Sequence, residues 1–239
     1  MKRQFAILCY KDHIWSKIMI NNLIKRNMIP CLIVEEESKI SIKKKDFYDK
    51  LILNTKRDLS NFDLIKDLVK KFKIKHLVVN NHNNLETKNI LSENKLDIIL
   101  LANTRIIKPE IFELAKIGTF NCHPDKLPGY RGSVVFLRKI LEDLPLGVTC
   151  HWVNQIVDTG SIAFYQDVHS SENDNLGDIV YKIIDTSSNL FIKLLNNESV
   201  PYVKQTITDT PLFKFPDESI IEECNNFLRF KNKNIINNS

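Results

Sequence analysis

Short apolar runs alternate along this chain with stretches whose apolar positions recur every three to four residues. Gln4 to Tyr10, QFAILCY, is apolar throughout, as a strand buried on both faces is, and Ile14, Trp15, Ile18, Leu23 and Ile24 then follow at helical spacing. MIPCLIVEE predicts a second strand, with Pro30 near its start, where a missing N–H is tolerated. Ser38 to Lys50, SKISIKKKDFYDK, is charged and poorly periodic, and predicts a loop of irregular structure. Ser60 with Asp63 has the form of a capping box, followed by Leu64, Ile65, Leu68, Val69 and Phe72 on one helical face.

Three more strands are predicted at KHLVVNN, LDIILLAN and GTFNCH, separated by helices at LETKNILSEN and KPEIFELAKIG. Repeated β-α units of this kind predict an α/β fold: a Rossmann-like, mainly parallel sheet with helices on both faces, binding ligands beyond the carboxyl ends of its strands. Ser133 to Asp143 reads as a helix, GVTCHWVN and SIAFYQDV as strands flanking the turn QIVDTG, and Asn175 to Asn196 as a long amphipathic helix. The remainder predicts a small extension with a hairpin and a helix. The expected division is a core over residues 1–170 and a carboxyl-terminal helix, hairpin and extension over 171–239.

Composition narrows the class without naming a function. A chain of 239 residues that is 43% hydrophobic can bury a substantial core. Its net charge of +5 suits a phosphate-bearing substrate, reads more simply as a solvated lysine surface, and argues poorly for nucleic acid. Five widely spaced cysteines with no C-x-x-C pair signal neither a disulfide framework nor a zinc site, which fits a cytoplasmic protein without a bound metal. The amino terminus has too short an apolar run for a signal peptide, and no segment reaches the length of a membrane span.

The chemistry concentrates in FNCHPDKLPGYRG. Residues i and i+2 of a strand share a face, so Asn121 and His123 project together at a strand's carboxyl end while Cys122 turns away. Taken alone, an Asn and a His so placed also suit a turn and a loop cap. With the rigid LPGYRG loop after them and DTG beyond the next strand, Asn121, His123 and Asp158 are expected to converge. An amide and an imidazole donate to an oxygen that becomes negative, and a carboxylate relays a proton, which is what acyl transfer to an amine requires. Cys122 and Cys150 point away from their neighbouring histidines, against a Cys-His hydrolase; His13, His76, His82 and His169 lack ligand spacing.

Two segments, LLANTRIIKPEIFELAKIGTFNCHPDKLPGYRG and LGVTCHWVNQIVDTGSI, together resemble the folate-dependent formyltransferases, which include glycinamide ribonucleotide, methionyl-tRNA and nucleotide-sugar N-formyltransferases. The resemblance implies that Asn121, His123 and Asp158 are catalytic. It implies that N10-formyltetrahydrofolate is the formyl donor, its pterin lying against Arg105, Ile106 and Ile107 and against the loop from Val153 through Val157 to Asp158. No Gly-rich phosphate loop follows the first strand, the sequence opens directly on that strand, so no preceding domain is expected, and the segment after Ser170 is short and helical. These departures from the purine, deformylase and tRNA branches favour the nucleotide-sugar branch, with a dTDP-4-amino-4,6-dideoxyglucose acceptor for O-antigen lipopolysaccharide expected, and UDP-4-amino-arabinose, a 3-amino sugar or methionyl-tRNA as alternatives.

For that acceptor, Asp125 and Lys126 are expected at the sugar, and Tyr130, Arg131, Phe213 and Phe215 at the base and diphosphate, each with a structural role as the plainer reading. A folate or nucleotide-sugar sensor and a formyl-folate hydrolase are the competing classes. The partners expected are folate and a nucleotide sugar, not nucleic acid or membrane, and Leu212, Phe213, Phe215, Ile220 and Ile221 are candidates to cover a second copy in a homodimer.

Overall fold

The computed structural model describes residues 3–206 and 210–236. Along the chain lie β1 (Phe5–Tyr10), α1 (Ile14–Lys25), β2 (Leu32–Glu36), α2 (Lys39–Ile52), α3 (Ile65–Phe72), β3 (Lys75–Val79), α4 (Leu85–Glu93), β4 (Ile98–Ala102), α5 (Pro109–Phe112) and β5 (Gly118–His123). Then follow β6 (Arg131–Gly132), α6 (Val135–Leu141), β7 (Leu146–Trp152), β8 (Ile162–Val168), α7 (Leu176–Asn196), β9 (Leu212–Phe213) and α8 (Ser219–Ile236).

Seven strands form one sheet in the order β3-β2-β1-β4-β5-β7-β8. The first five run parallel, and β7 and β8 are antiparallel additions beside β5. The mainly parallel, Rossmann-like architecture is therefore present, with the order changing direction after β1. Alternation along the strands splits the core in two. Ile7, Cys9, Leu100, Phe120 and Cys122 pack with α1 and α7 on one face, while Ala6, Leu8, Val34, Ile99 and Leu101 pack with Leu91, Ile111 and Phe112 on the other. Among the described residues, no helix is long and apolar enough to cross a membrane.

Three local expectations change. Ser38 to Lys50 is not an irregular loop: Ser38 caps α2, exchanging hydrogen bonds with Ser41, and Phe47, Tyr48, Leu51 and Ile52 bury a narrow apolar stripe. Lys43, Lys44 and Lys45 interrupt the pattern and hide that stripe from a periodicity count. Ser60 does not cap α3; its N–H and hydroxyl both bond to Asp58, and Leu64 occupies the cap without a side-chain bond. The extension's short strand β9 pairs in parallel with β6, and Val203 bridges Ile162, so among the described residues its backbone docks on the core.

Candidate active site

The alternation that sends Phe120 and Cys122 into the α1/α7 side of the core turns Asn121 and His123 to the other side. Antiparallel pairing of β5 with β7 sets Asn121 opposite His151 and His123 opposite Thr149. His151 was missed in the sequence because its neighbour Cys150 drew the question toward a nucleophile. Its signal was the cross-strand register, which needs the antiparallel pairing.

Asp158 reaches the same point from the turn after β7. It adopts a left-handed conformation at φ 58°, tolerated by Asp more than by most residues. Its Oδ2 accepts the Gly132 N–H at 2.9 Å, and Gln205 donates to its carbonyl at 3.2 Å. Two residues on, a Cβ at Gly160 would stand 1.8 Å from the Trp152 carbonyl oxygen, so only glycine lets the turn close.

The hydrogen-bond partners fix where the imidazole protons lie. His123 Nε2 is 2.6 Å from the Tyr130 carbonyl and His151 Nδ1 is 2.7 Å from the Trp152 carbonyl. A carbonyl only accepts, so each of these nitrogens donates. The opposite nitrogens both look onto Asp158, His123 Nδ1 at 3.4 Å from Oδ2 and His151 Nε2 at 3.6 Å from Oδ1. Asn121 Nδ2 donates to His151 Nε2 at 3.4 Å. Burial pushes the Asp158 carboxyl up, but His123, His151 and the Gly132 N–H outweigh it and hold the group well below the usual carboxylate range. A fixed negative charge thus faces two imidazole nitrogens.

These groups floor a cleft of about 390 Å³ at the carboxyl edge of the sheet. Ile106, Ile107, Val153 and Val157 wall one end, and Ile107 and Val153 pack into the core on one face of the sheet. Arg105 lines this end too, but its guanidinium turns back to grip the buried Glu36 bidentately, at 2.7 and 2.8 Å. Asn83 braces the same loop, donating to the Ile106 carbonyl at 3.0 Å and accepting the Lys108 N–H at 2.8 Å.

Trp15, Lys44, Tyr48, Phe213 and Phe215 wall the other end, and Trp15, Tyr48 and Phe215 pack with the opposite core cluster. Burial pushes the Tyr48 phenol up to about 12, keeping it a neutral donor.

The remaining expected acceptor contacts lie outside the lining. Asp125 is fully buried, its Oδ1 taken by Lys139 Nζ at 2.6 Å and its carbonyl by the Thr149 hydroxyl at 2.6 Å, so it braces the loop. Lys126 lies over the Tyr165 ring. Tyr130 stacks on Phe213 with centroids 5.4 Å apart and bonds to Glu142, and Arg131 donates to the Thr210 carbonyl at 2.6 Å. Tyr130 and Arg131 thereby seat the extension strand whose Phe213 does line the cleft. Among the described residues, no group of three or more His, Cys, Asp or Glu side chains is placed to hold a metal.

Residues 52–195 match the formyl transferase family, and the chain belongs to it. It is 31% identical over 121 residues to methionyl-tRNA formyltransferase of Kosmotoga olearia, covering 50% of this chain and 39% of that one. The match thus spans well under half of that relative. Among solved structures it resembles the formyltransferase PseJ from Anoxybacillus kamchatkensis, whose crystals hold UDP-4,6-dideoxy-4-formamido-L-AltNAc and tetrahydrofolate, at 26% identity and TM-score 0.51 over 65% of this chain and 82% of that one. It also shares the fold of phosphoribosylglycinamide formyltransferase from Streptococcus pneumoniae, at 16% identity and TM-score 0.58 over 81% of this chain and 97% of that one.

Proposed function

We propose that the chain transfers the formyl group of N10-formyltetrahydrofolate to the amino group of a nucleotide-linked amino sugar. The observation that carries the reaction type is the convergence of Asn121, His123, His151 and Asp158 on the floor of one cleft. As the acceptor nitrogen bonds to the formyl carbon, the amide N–H of Asn121 meets the oxygen that turns negative, and a protonated His123, its two N–H groups held by the Tyr130 carbonyl and Asp158, sets a positive charge beside it. Asp158 holds the imidazolium, and the pair of rings takes the proton lost by the amine while one is returned to the departing folate nitrogen. The donor lies against Ile106, Ile107, Val153 and Val157, with Arg105 contributing main chain. Holding both reactants in one cleft supplies much of the remaining acceleration.

The aromatic and cationic end of the cleft supports a nucleotide-bearing acceptor, and PseJ is a relative solved with a UDP-linked formamido sugar. Within that class, dTDP-4-amino-4,6-dideoxyglucose, feeding O-antigen synthesis, is the proposed substrate. Methionyl-tRNA is the second reading, favoured by the sequence match to the Kosmotoga enzyme. Release of tetrahydrofolate from the formyl donor, followed with dTDP- and UDP-amino sugars and with methionyl-tRNA, separates them. Turnover with a dTDP-4-amino sugar, lost in His123→Ala, supports the proposal; turnover with methionyl-tRNA alone replaces the acceptor, and turnover without any acceptor replaces transfer by hydrolysis.

A further inference from the structure

Lys44 stands apart from the other charged side chains around the cleft. It projects from α2 into the lining, half-buried, and among the described residues it makes no hydrogen bond or ion pair. Its ammonium lies over two aromatic rings, Tyr10 at 5.5 Å and Phe215 at 5.6 Å from the ring centroids. The neighbouring Lys45 is committed to Asp49 at 2.5 Å. Glu36, the nearest buried carboxylate to act on Lys44, is already held by Arg105, Ser38 and the His82 N–H.

A buried ammonium without a carboxylate partner is costly, and burial does lower its proton affinity, with Glu36 offsetting part of that. Ring faces recover some of the cost, and a rigid seat keeps the group in place. That seat is firm: Phe47, Tyr48, Leu51 and Ile52 of the same helix are buried, and Phe47 meets Phe215 edge-on at 4.7 Å. The cleft therefore holds one preset positive charge with open coordination, framed by the Phe215 ring and the exposed Lys214.

We propose that Lys44 binds the diphosphate of the acceptor, at the end of the cleft opposite Ile107 and Val153. The assignment rests on the nucleotide-sugar reading above. Its location follows from the two core clusters: Trp15, Tyr48 and Phe215 pack on one face of the sheet, and Ile107 and Val153 on the other, the face to which Asn121 and His123 turn. An anion at Lys44 thus enters from the side away from the proposed folate end. Phe213 and Phe215 line the same wall.

The test is equilibrium binding of dTDP, UDP and tetrahydrofolate to the wild-type protein, Lys44→Met and Lys44→Arg. Methionine keeps the apolar stem over the two rings, and arginine keeps the charge, so a fold defect would show in both. Loss of a charge-assisted contact to phosphate is expected to weaken dTDP and UDP by about tenfold or more in Lys44→Met, with most of the affinity kept in Lys44→Arg and tetrahydrofolate unaffected. Equal nucleotide binding by wild type and Lys44→Met would overturn the assignment and leave the sugar reading intact. Weakened tetrahydrofolate with unchanged nucleotides would also overturn it, moving the anion to the folate glutamate. Wild-type protein that binds tetrahydrofolate but neither nucleotide would remove the sugar reading and the Lys44 assignment together.

Discussion

At one end of the cleft the walls are Ile106, Ile107, Val153 and Val157, on loops that leave β4 and β7 and are tied to the sheet by main-chain bonds such as Val153 N–H to the Thr119 carbonyl at 2.8 Å. At the other end they are Lys44 and Tyr48 of α2 and the segment from Leu212 to Phe215, whose strand pairs with β6 over two residues. The first end is a consequence of the sheet and cannot loosen without it. The second is assembled by docking, through ring contacts and a short ladder, and meets the catalytic floor at Asp158 through the Gly132 N–H and the Gln205 side chain. Under the proposed function, that division would place the donor on the sheet-built end and the acceptor on the docked one.

The comparison breaks most visibly at Asp125. Asp125→Ala leaves Lys139 buried without its partner, which is expected to lower unfolding stability by about 3–5 kcal/mol. Denaturation midpoints check this, and an unchanged midpoint with a raised acceptor KM would return Asp125 to the substrate. On the catalytic floor, His123→Ala is expected to lower kcat by about a hundredfold to a thousandfold, read in the tetrahydrofolate-release assay.

Gly132→Ala tests the docked wall. At φ 109° its new Cβ would stand 2.1 Å from the Phe213 carbonyl oxygen, and the strain of about 1–3 kcal/mol falls on the β6–β9 pairing. Hydrogen exchange is expected to quicken at Leu212 and Phe213 and to stay slow along β5. Equal effects on both segments would mean that the two ends are one cooperative unit.

Asp158→Asn sharpens the floor from its charge, since Asn accepts the left-handed backbone that Asp158 adopts. Burial raises the Asp158 carboxyl, and His123, His151 and the Gly132 N–H more than reverse this, so its folded pKa lies below the unfolded value. The stability it contributes is complete above about pH 4 and is lost as pH falls through the folded pKa. The variant's Tm deficit, a few degrees, should be present near pH 5 and shrink below about pH 4. A deficit that widens on acidification would contradict the assigned sign. The smallest effect belongs to Lys126→Ala, expected within about 0.5 kcal/mol in stability and with unchanged kcat/KM.

The parallel sheet was legible because β1, β2 and β4 are apolar enough to be buried on both faces, and α7 because its stripe is long and Asn175 opens it. Asn121, His123 and Asp158 were legible as a set because two are fixed by strand alternation and the third by a turn that only glycine can close. His151 was not, since its place depends on an antiparallel neighbour that a sequence read as mainly parallel does not announce. Helix α2 was hidden by its own lysines, which is also why Lys44 went unremarked in the sequence. Asp125 and Arg131 carry charges that suggest a ligand, but one is taken up by Lys139 and the other by a backbone carbonyl, contacts that only the folded loop creates.

The docking of β9 on β6 also sets an order of events during synthesis. Arg131 reaches the Thr210 carbonyl across 79 residues of sequence. Closing so distant a contact is slow relative to local structure. On the ribosome, every residue of the catalytic floor has been made well before Leu212 emerges. A nascent chain paused between those points has the reactive groups but lacks the wall that β9 supplies, so under the proposed function the grip on the acceptor is completed last.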